Sequence, residues 1–137
     1  MTDYSNIPEC FYRIGVKALI CDENGRFLLW REDNGKWELP GGGLELDESP
    51  QEGLRRELKE EAGLEAVEIA EHPSYFTRSM NTRLGYPMAH IMYKTRVKNL
   101  NITPSDECQE VRFFTIEEAL EAEVFPSVIE FCKQYKI

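Results

Sequence analysis

The sequence predicts an α/β fold with a mixed sheet packed between helices, and three observations carry that expectation. Strand-like runs fill the stretch before Pro40 and are punctuated by Asn24-Gly25 and Asn34-Gly35, pairs that favour tight hairpin turns. Two S/T-x-x-E patterns, Ser49 to Glu52 and Thr115 to Glu118, mark helix starts. Hairpins join the strands in place of strict β-α alternation, which argues against a purely parallel sheet. With 137 residues the chain is read as a single domain, 1–137, large enough to enclose a core without disulfides or a structural metal.

The elements follow in order. Residues 11–21 are rich in β-formers and end in Asp22-Glu23-Asn24-Gly25; Arg26-Phe27-Leu28-Leu29-Trp30 follows as the returning arm of a hairpin. Asn34-Gly35 leads into the short apolar segment Trp37-Glu38-Leu39, which Pro40-Gly41-Gly42-Gly43 breaks into a glycine loop. A helix is predicted over 50–62: Ser49 caps it, Pro50 takes the first position, Gly63 stops it, and Leu54, Leu58 and Ala62 form a buried stripe. Strands are expected near 67–70, 74–78, 88–97 and 111–114. Thr115 starts a short helix, and Pro126 opens a last one whose Val128, Phe131, Cys132 and Tyr135 recur at helical spacing as core.

Composition narrows the function classes. A 42% hydrophobic content with 7 Phe, 6 Tyr and 2 Trp excludes a disordered chain. There is no apolar run of the ~18 residues a membrane span requires, and Met1-Thr2-Asp3-Tyr4-Ser5-Asn6 lacks an export signal, so a cytoplasmic location without membrane attachment is expected. Cys10, Cys21, Cys108 and Cys132 are scattered, without metal-site spacing, and are read as reduced thiols. A net charge of −9 argues against a nucleic-acid partner. An anionic substrate would need bound cations to offset the acidic surroundings.

The chemistry concentrates in residues 42–64. Glu57, Glu60 and Glu61 stand at i, i+3 and i+4 of the predicted helix and share one face. Like charges at that spacing disfavour a helix unless a cation sits between them, and hard oxygen ligands suit Mg²⁺ or Mn²⁺. Gly53, one turn earlier on that face, costs ~1 kcal/mol relative to alanine, which implies a close approach there. Arg56 is placed to pair with neighbouring carboxylates, and the glycines before the helix offer backbone carbonyls and room for a phosphate.

Gly42, Glu48, Arg56, Glu57, Leu58, Glu60, Glu61, Gly63 and Leu64 together reproduce G-x5-E-x7-R-E-U-x-E-E-x-G-U. This resembles the Nudix box, and the lead-in Trp37-Glu38-Leu39-Pro40-Gly41-Gly42-Gly43 is similar to that of the same family. The resemblance implies a Nudix-type α/β/α sandwich and a Mg²⁺-dependent pyrophosphohydrolase, with Mn²⁺ a substitute, cleaving a nucleoside diphosphate linked to another moiety. By motif position it implies Glu57, Glu60 and Glu61 as metal ligands, with the Gly42 carbonyl a further one. Arg56 then orients Glu57, and Glu48 supports the loop and helix. The catalytic set implied is Glu57, Arg56 and Glu60, with Glu57 the first choice of general base and a later loop the alternative source. Glu110 matches a place where relatives offer another metal-binding carboxylate, and an exposed acid before a strand is its structural reading.

Substrate recognition falls outside the box. Tyr75, Phe76, Arg78, Arg83 and Tyr86 cluster in 74–87; Phe76 and Tyr86 are candidates for stacking on a base, Arg78 and Arg83 for meeting phosphate. The strand-like run around His90 favours a satisfied core histidine, and His72 receives no role. Some subfamilies carry a Pro or Tyr about sixteen residues after the box, where this chain has Ser79-Met80-Asn81-Thr82. In those subfamilies the residue goes with ADP-ribose or diadenosine polyphosphates; its absence here, together with that of the long signatures of the NADH- and coenzyme A-directed groups, favours a nucleoside triphosphate, oxidised forms included, or a nucleotide sugar, while a substrate of the ADP-ribose type stays within what the resemblance implies. The rival reading is a catalytically silent nucleotide sensor of the same fold, whose usual mark is a broken box. Relatives are often dimers, so a homodimer is compatible with the sequence.

Overall fold

A computed structural model describes residues 10–137; the N-terminal residues read above for an export signal lie outside them. Strand β1 (Arg13–Leu19) is buried on both faces, since alternate side chains point Val16 and Ala18 one way and Lys17 and Leu19 the other. A strand of that kind must be covered twice. Strand β2 (Phe27–Arg31) repeats the arrangement, with Leu28 and Trp30 in the cluster of Val16 and Ala18, and Phe27 and Leu29 in that of Leu19. Helix α1 (Pro50–Ala62) closes the first cluster with Leu54, Leu58 and Ala62. Helices α2 (Ile116–Glu121) and α3 (Pro126–Gln134) close the second with Ala119, Val128 and Phe131. The sandwich of helix, sheet and helix is the one expected.

The strands divide between two sheets. One is mixed: β1 runs antiparallel to β4 (Gly41–Gly43) and parallel to the long β7 (Tyr86–Val97), which also pairs antiparallel with β5 (Ala66–Ile69) and β6 (Tyr75–Asn81). The other is antiparallel, β3 (Trp37–Glu38), β2 and β8 (Glu110–Phe114) in that order. The turn at Asn24-Gly25 forms, with Asp22 N–H donating to the Arg26 carbonyl at 2.9 Å and a bridge between Cys21 and Phe27. Beyond it β1 and β2 part, because each finds its backbone partners in a different sheet.

Two local outcomes differ from the sequence reading and shape the site. Gly41–Gly43 is an edge strand rather than a loop, in register with Lys17, Val16 and Gly15. The strand expected over 74–78 runs on to Asn81, and 82–85 form a tight turn into β7 rather than a break before 88, with Asn81 Oδ1 accepting from the N–H groups of Arg83 and Leu84 and Gly85 at φ +80°. Helix α1 keeps its expected bounds. Ser49 Oγ accepts from Glu52 N–H at 3.1 Å, while Gly63 at φ +66° and Leu64 donate back to Lys59 and Leu58. Among the described residues no helix is long and apolar enough to cross a membrane.

Candidate active site

The solvent-side face of α1 carries the acidic group. One oxygen from each of Glu57, Glu60 and Glu61 lies within 4.8 Å of the others. Arg56 lies across this face: its guanidinium donates to Glu48 at 2.6 and 3.0 Å, to Glu57 at 2.9 Å, to Glu60 at 3.2 Å and to the Gly43 carbonyl at 3.1 Å. One side chain therefore ties α1 to β4 and to the connection between them. Glu48 also accepts from Glu45 N–H at 2.9 Å. The close approach implied at Gly53 is made by Glu48 and Leu44, whose side chains occupy the place of an added Cβ. Glu61 accepts from Ser105 Oγ at 3.1 Å, which fixes the connection before β8 against the helix.

Gly42 has its own reason to be glycine, because a Cβ there would collide with the Glu57 carboxylate. Strand β4 thus passes directly over that carboxylate. Close-spaced hard oxygen donors on a rigid helix, beside bare backbone, fit Mg²⁺ or Mn²⁺. Next to them opens a cleft of about 370 Å³ lined by Glu57, Glu61 and β4, by Lys17 and His90 from the sheet, and by Arg83 from the β6–β7 turn. A larger hollow of about 790 Å³ lies at the C-terminal ends of β1 and β7, and no box carboxylate borders it.

The electrostatics of the cleft follow from its crowding. Hydrogen bonds from Arg56 and from Glu45 N–H hold the Glu48 carboxyl down to about 2. Loss of hydration raises Glu57 above the ordinary carboxylate range, against the hydrogen bond from Arg56. Glu107 is pushed up to about 7, first by partial desolvation and then by Glu61, Glu32 and Glu57. Burial pushes His90 down to about 4, helped by the Lys17 ammonium.

The residues named from sequence separate into two groups. Gly42, Arg56, Glu57, Glu60 and Glu61 converge, and Arg83 reaches the cleft, where it is bound to Glu32 at 2.8 Å and Asp33 at 2.6 Å. Glu110 does not border the cleft: it starts β8 and pairs with Arg31 at 2.8 Å on the neighbouring strand. Glu107, three residues earlier, lines the cleft instead, and no period or spacing marks it in the sequence. Arg78, Phe76 and Tyr86 also lie outside the lining, Arg78 donating to the Tyr12 hydroxyl at 3.4 Å and Phe76 exposed on the outer face of β6. His90 is buried as expected but not satisfied, since its Nδ1 has no partner among the described residues. Lys17 was passed over, although a charge inside the apolar run Val16-Lys17-Ala18-Leu19 is a legible signal.

Comparison with known proteins gives a consistent result. The NUDIX domain profile matches residues 11–134. A MutT-like protein of Streptomyces ambofaciens is 49% identical over 61 residues, covering 44% of this chain and 39% of that protein. An RNA pyrophosphohydrolase of Gluconacetobacter diazotrophicus is 35% identical over 95 residues, covering 61% and 55%. The chain thus spans about two fifths to just over half the length of these relatives. Among solved structures, a MutT protein from Methanosarcina mazei Go1 superposes with a TM-score of 0.72 at 32% identity, covering 90% of this chain and 91% of that one.

Proposed function

This chain belongs to the Nudix family, and from that premise we propose that it is a metal-dependent pyrophosphohydrolase acting on a nucleoside diphosphate linked to another moiety. The substrates favoured are nucleoside triphosphates, oxidised forms included, and nucleotide sugars or compounds of the ADP-ribose type. The observation that carries the reading is the convergence of Glu57, Glu60 and Glu61 within 4.8 Å on a helix face that Arg56 holds against the glycine strand.

Mg²⁺ or Mn²⁺ held by these carboxylates, with the Gly42 carbonyl a further ligand, would neutralise diphosphate charge and make water a stronger nucleophile. The chain's own groups do the rest. Arg56 fixes the Glu57 and Glu60 carboxylates, so little reorganisation is left for the reaction. Glu57 is the first choice of general base. Glu107 is the second: it lines the same cleft and is held near neutrality, the range a base working at pH 7 needs. Arg83, paired to carboxylates at the cleft, is the substrate-contacting residue of the sequence set that the geometry supports.

The test is product release with and without Mg²⁺ across nucleoside triphosphates, oxidised nucleotides, ADP-ribose, nucleotide sugars, dinucleoside polyphosphates and triphosphate-ended RNA. RNA stands on that panel because one relative is named an RNA pyrophosphohydrolase. Metal-dependent turnover of one class supports the hydrolase and names its substrate; silence across the panel from folded protein favours the sensor reading. Glu61→Gln is expected to lose most activity, roughly 100-fold or more, with its unfolding transition kept, because the change removes a charge rather than a core contact. Near-normal turnover by that variant would sink the assignment.

A further inference from the structure

Lys17 and His90 stand in the cleft without a role in the chemistry above. Lys17 is 6% exposed and His90 2% exposed, and both border the cleft that holds Glu57 and Glu61. Among the described residues the Lys17 ammonium has no carboxylate within ion-pair distance, and His90 Nδ1 has no hydrogen-bond partner. The nearby Glu38 is already engaged, accepting from Ser127 Oγ at 2.6 and 2.8 Å and from Leu39 N–H at 2.8 Å. A buried nitrogen in the state of His90 Nδ1 is rare and calls for a ligand or ordered water.

The surroundings say what kind of ligand. Glu32, Glu38 and Glu107 all lie in the same cleft, so the Lys17 charge is offset over distance and a further phosphate would meet net repulsion. A neutral ring would not. Among these polar and charged side chains, Met88, Leu84 and the side-chain-free strand β4 give the cleft an apolar stretch against which a ring can lie. An ammonium only donates hydrogen bonds, so it accepts a ring carrying an exocyclic oxygen and leaves an exocyclic amino group facing a donor.

We propose that Lys17, with the free His90 nitrogen beside it, forms a nucleobase subsite that selects oxo-substituted bases over their amino counterparts. This rests on the nucleotide-hydrolase reading above for its substrate class. It adds the identity of the base.

The probes are two matched pairs of nucleoside monophosphates, inosine against adenosine and uridine against cytidine, titrated calorimetrically onto the whole chain. The wild type is expected to bind the oxo member of each pair about ten-fold more tightly or better, the size of one charge-assisted hydrogen bond. Lys17→Met should abolish the preference, and Lys17→Arg, which also only donates, should keep it; the arginine variant serves if the methionine one does not fold. Equal binding within both pairs by the wild type, or an undiminished preference in folded Lys17→Met, overturns the proposal. Turnover of the matching triphosphates separates the two readings. Oxo-selective binding without metal-dependent turnover retires the hydrolase and keeps the subsite, whereas turnover without selectivity does the reverse.

Discussion

At the scale of single residues, His90 shows how a cleft group acts on stability. It lies on β7 across from Gly15 and Thr77, faces Lys17 on β1 and Glu38 on β3, and is held down to about 4 by burial. A histidine below its ordinary value takes up its proton more readily when the chain is unfolded. Its contribution is therefore whole above pH 6.5 and drains away as the pH falls toward 4. Glu107, raised to about 7, works in the opposite sense: what it contributes below the ordinary carboxylate range is lost as the pH climbs to 7, though its openness to solvent screens the effect. The two slopes oppose each other between the ordinary carboxylate value and 6.5. Urea unfolding of wild type and His90→Gln at pH 7 and pH 5 isolates the first. The wild type should lose about 2 kcal/mol more than the variant over that step. Parallel losses would show that His90 is already protonated in the fold or hydrated through Nδ1.

At the scale of elements, strand β4 separates folding from catalysis within three residues. An added Cβ at Gly42 meets the Glu57 carboxylate, the movable end of a side chain, whereas one at Gly41 meets the Val16 carbonyl, which is fixed backbone of β1, and Gly41 also holds φ +142°. Gly42→Ala is thus expected to keep its melting temperature within a few degrees while displacing Glu57 and losing activity about 100-fold, the cost of a misplaced catalytic group. Gly41→Ala should lose stability first. If Gly42→Ala instead retains full activity, Glu57 is not held by this strand. The same strand shows what the sequence made legible. Helix α1, its cap, its glycine stop and its acidic face follow from short-range signals and fall where spacing puts them. A run of glycines carries no side-chain period, so its pairing with β1 depended on partners far along the chain. Likewise the long connection from β7 to β8 has no pattern to aim Glu107, and Glu110, named because it matches a place where relatives offer a carboxylate, is turned by β8 toward Arg31. Local signals located the box; the remainder of the cleft is assembled from four distant segments.

At the scale of the whole molecule, the net charge of −9 is concentrated to a purpose at the cleft, where Glu32, Glu38, Glu57, Glu61, Asp106 and Glu107 outnumber Lys17 and Arg83. Mutual repulsion among these groups opposes the compact state, a penalty that a divalent cation bound there would remove. Binding to the native state alone stabilises it by about 2.7 kcal/mol when the ion is at 100 times its dissociation constant. For a domain of this length that corresponds to a rise in melting temperature on the order of 10 °C. Mg²⁺ should produce that rise, and NaCl at matched ionic strength should produce much less, because screening lowers every surface interaction while coordination acts at one place. Glu60→Gln/Glu61→Gln then distinguishes the two. With two of the three converging carboxylates neutralised, the metal-free variant should melt no lower than the wild type, since like charges one turn apart are relieved, and its response to Mg²⁺ should collapse to that seen with NaCl. A variant that still gained the full rise would place the cation elsewhere on the acidic surface, and the helix face would then be a solvated run of glutamates that Arg56 alone holds in order.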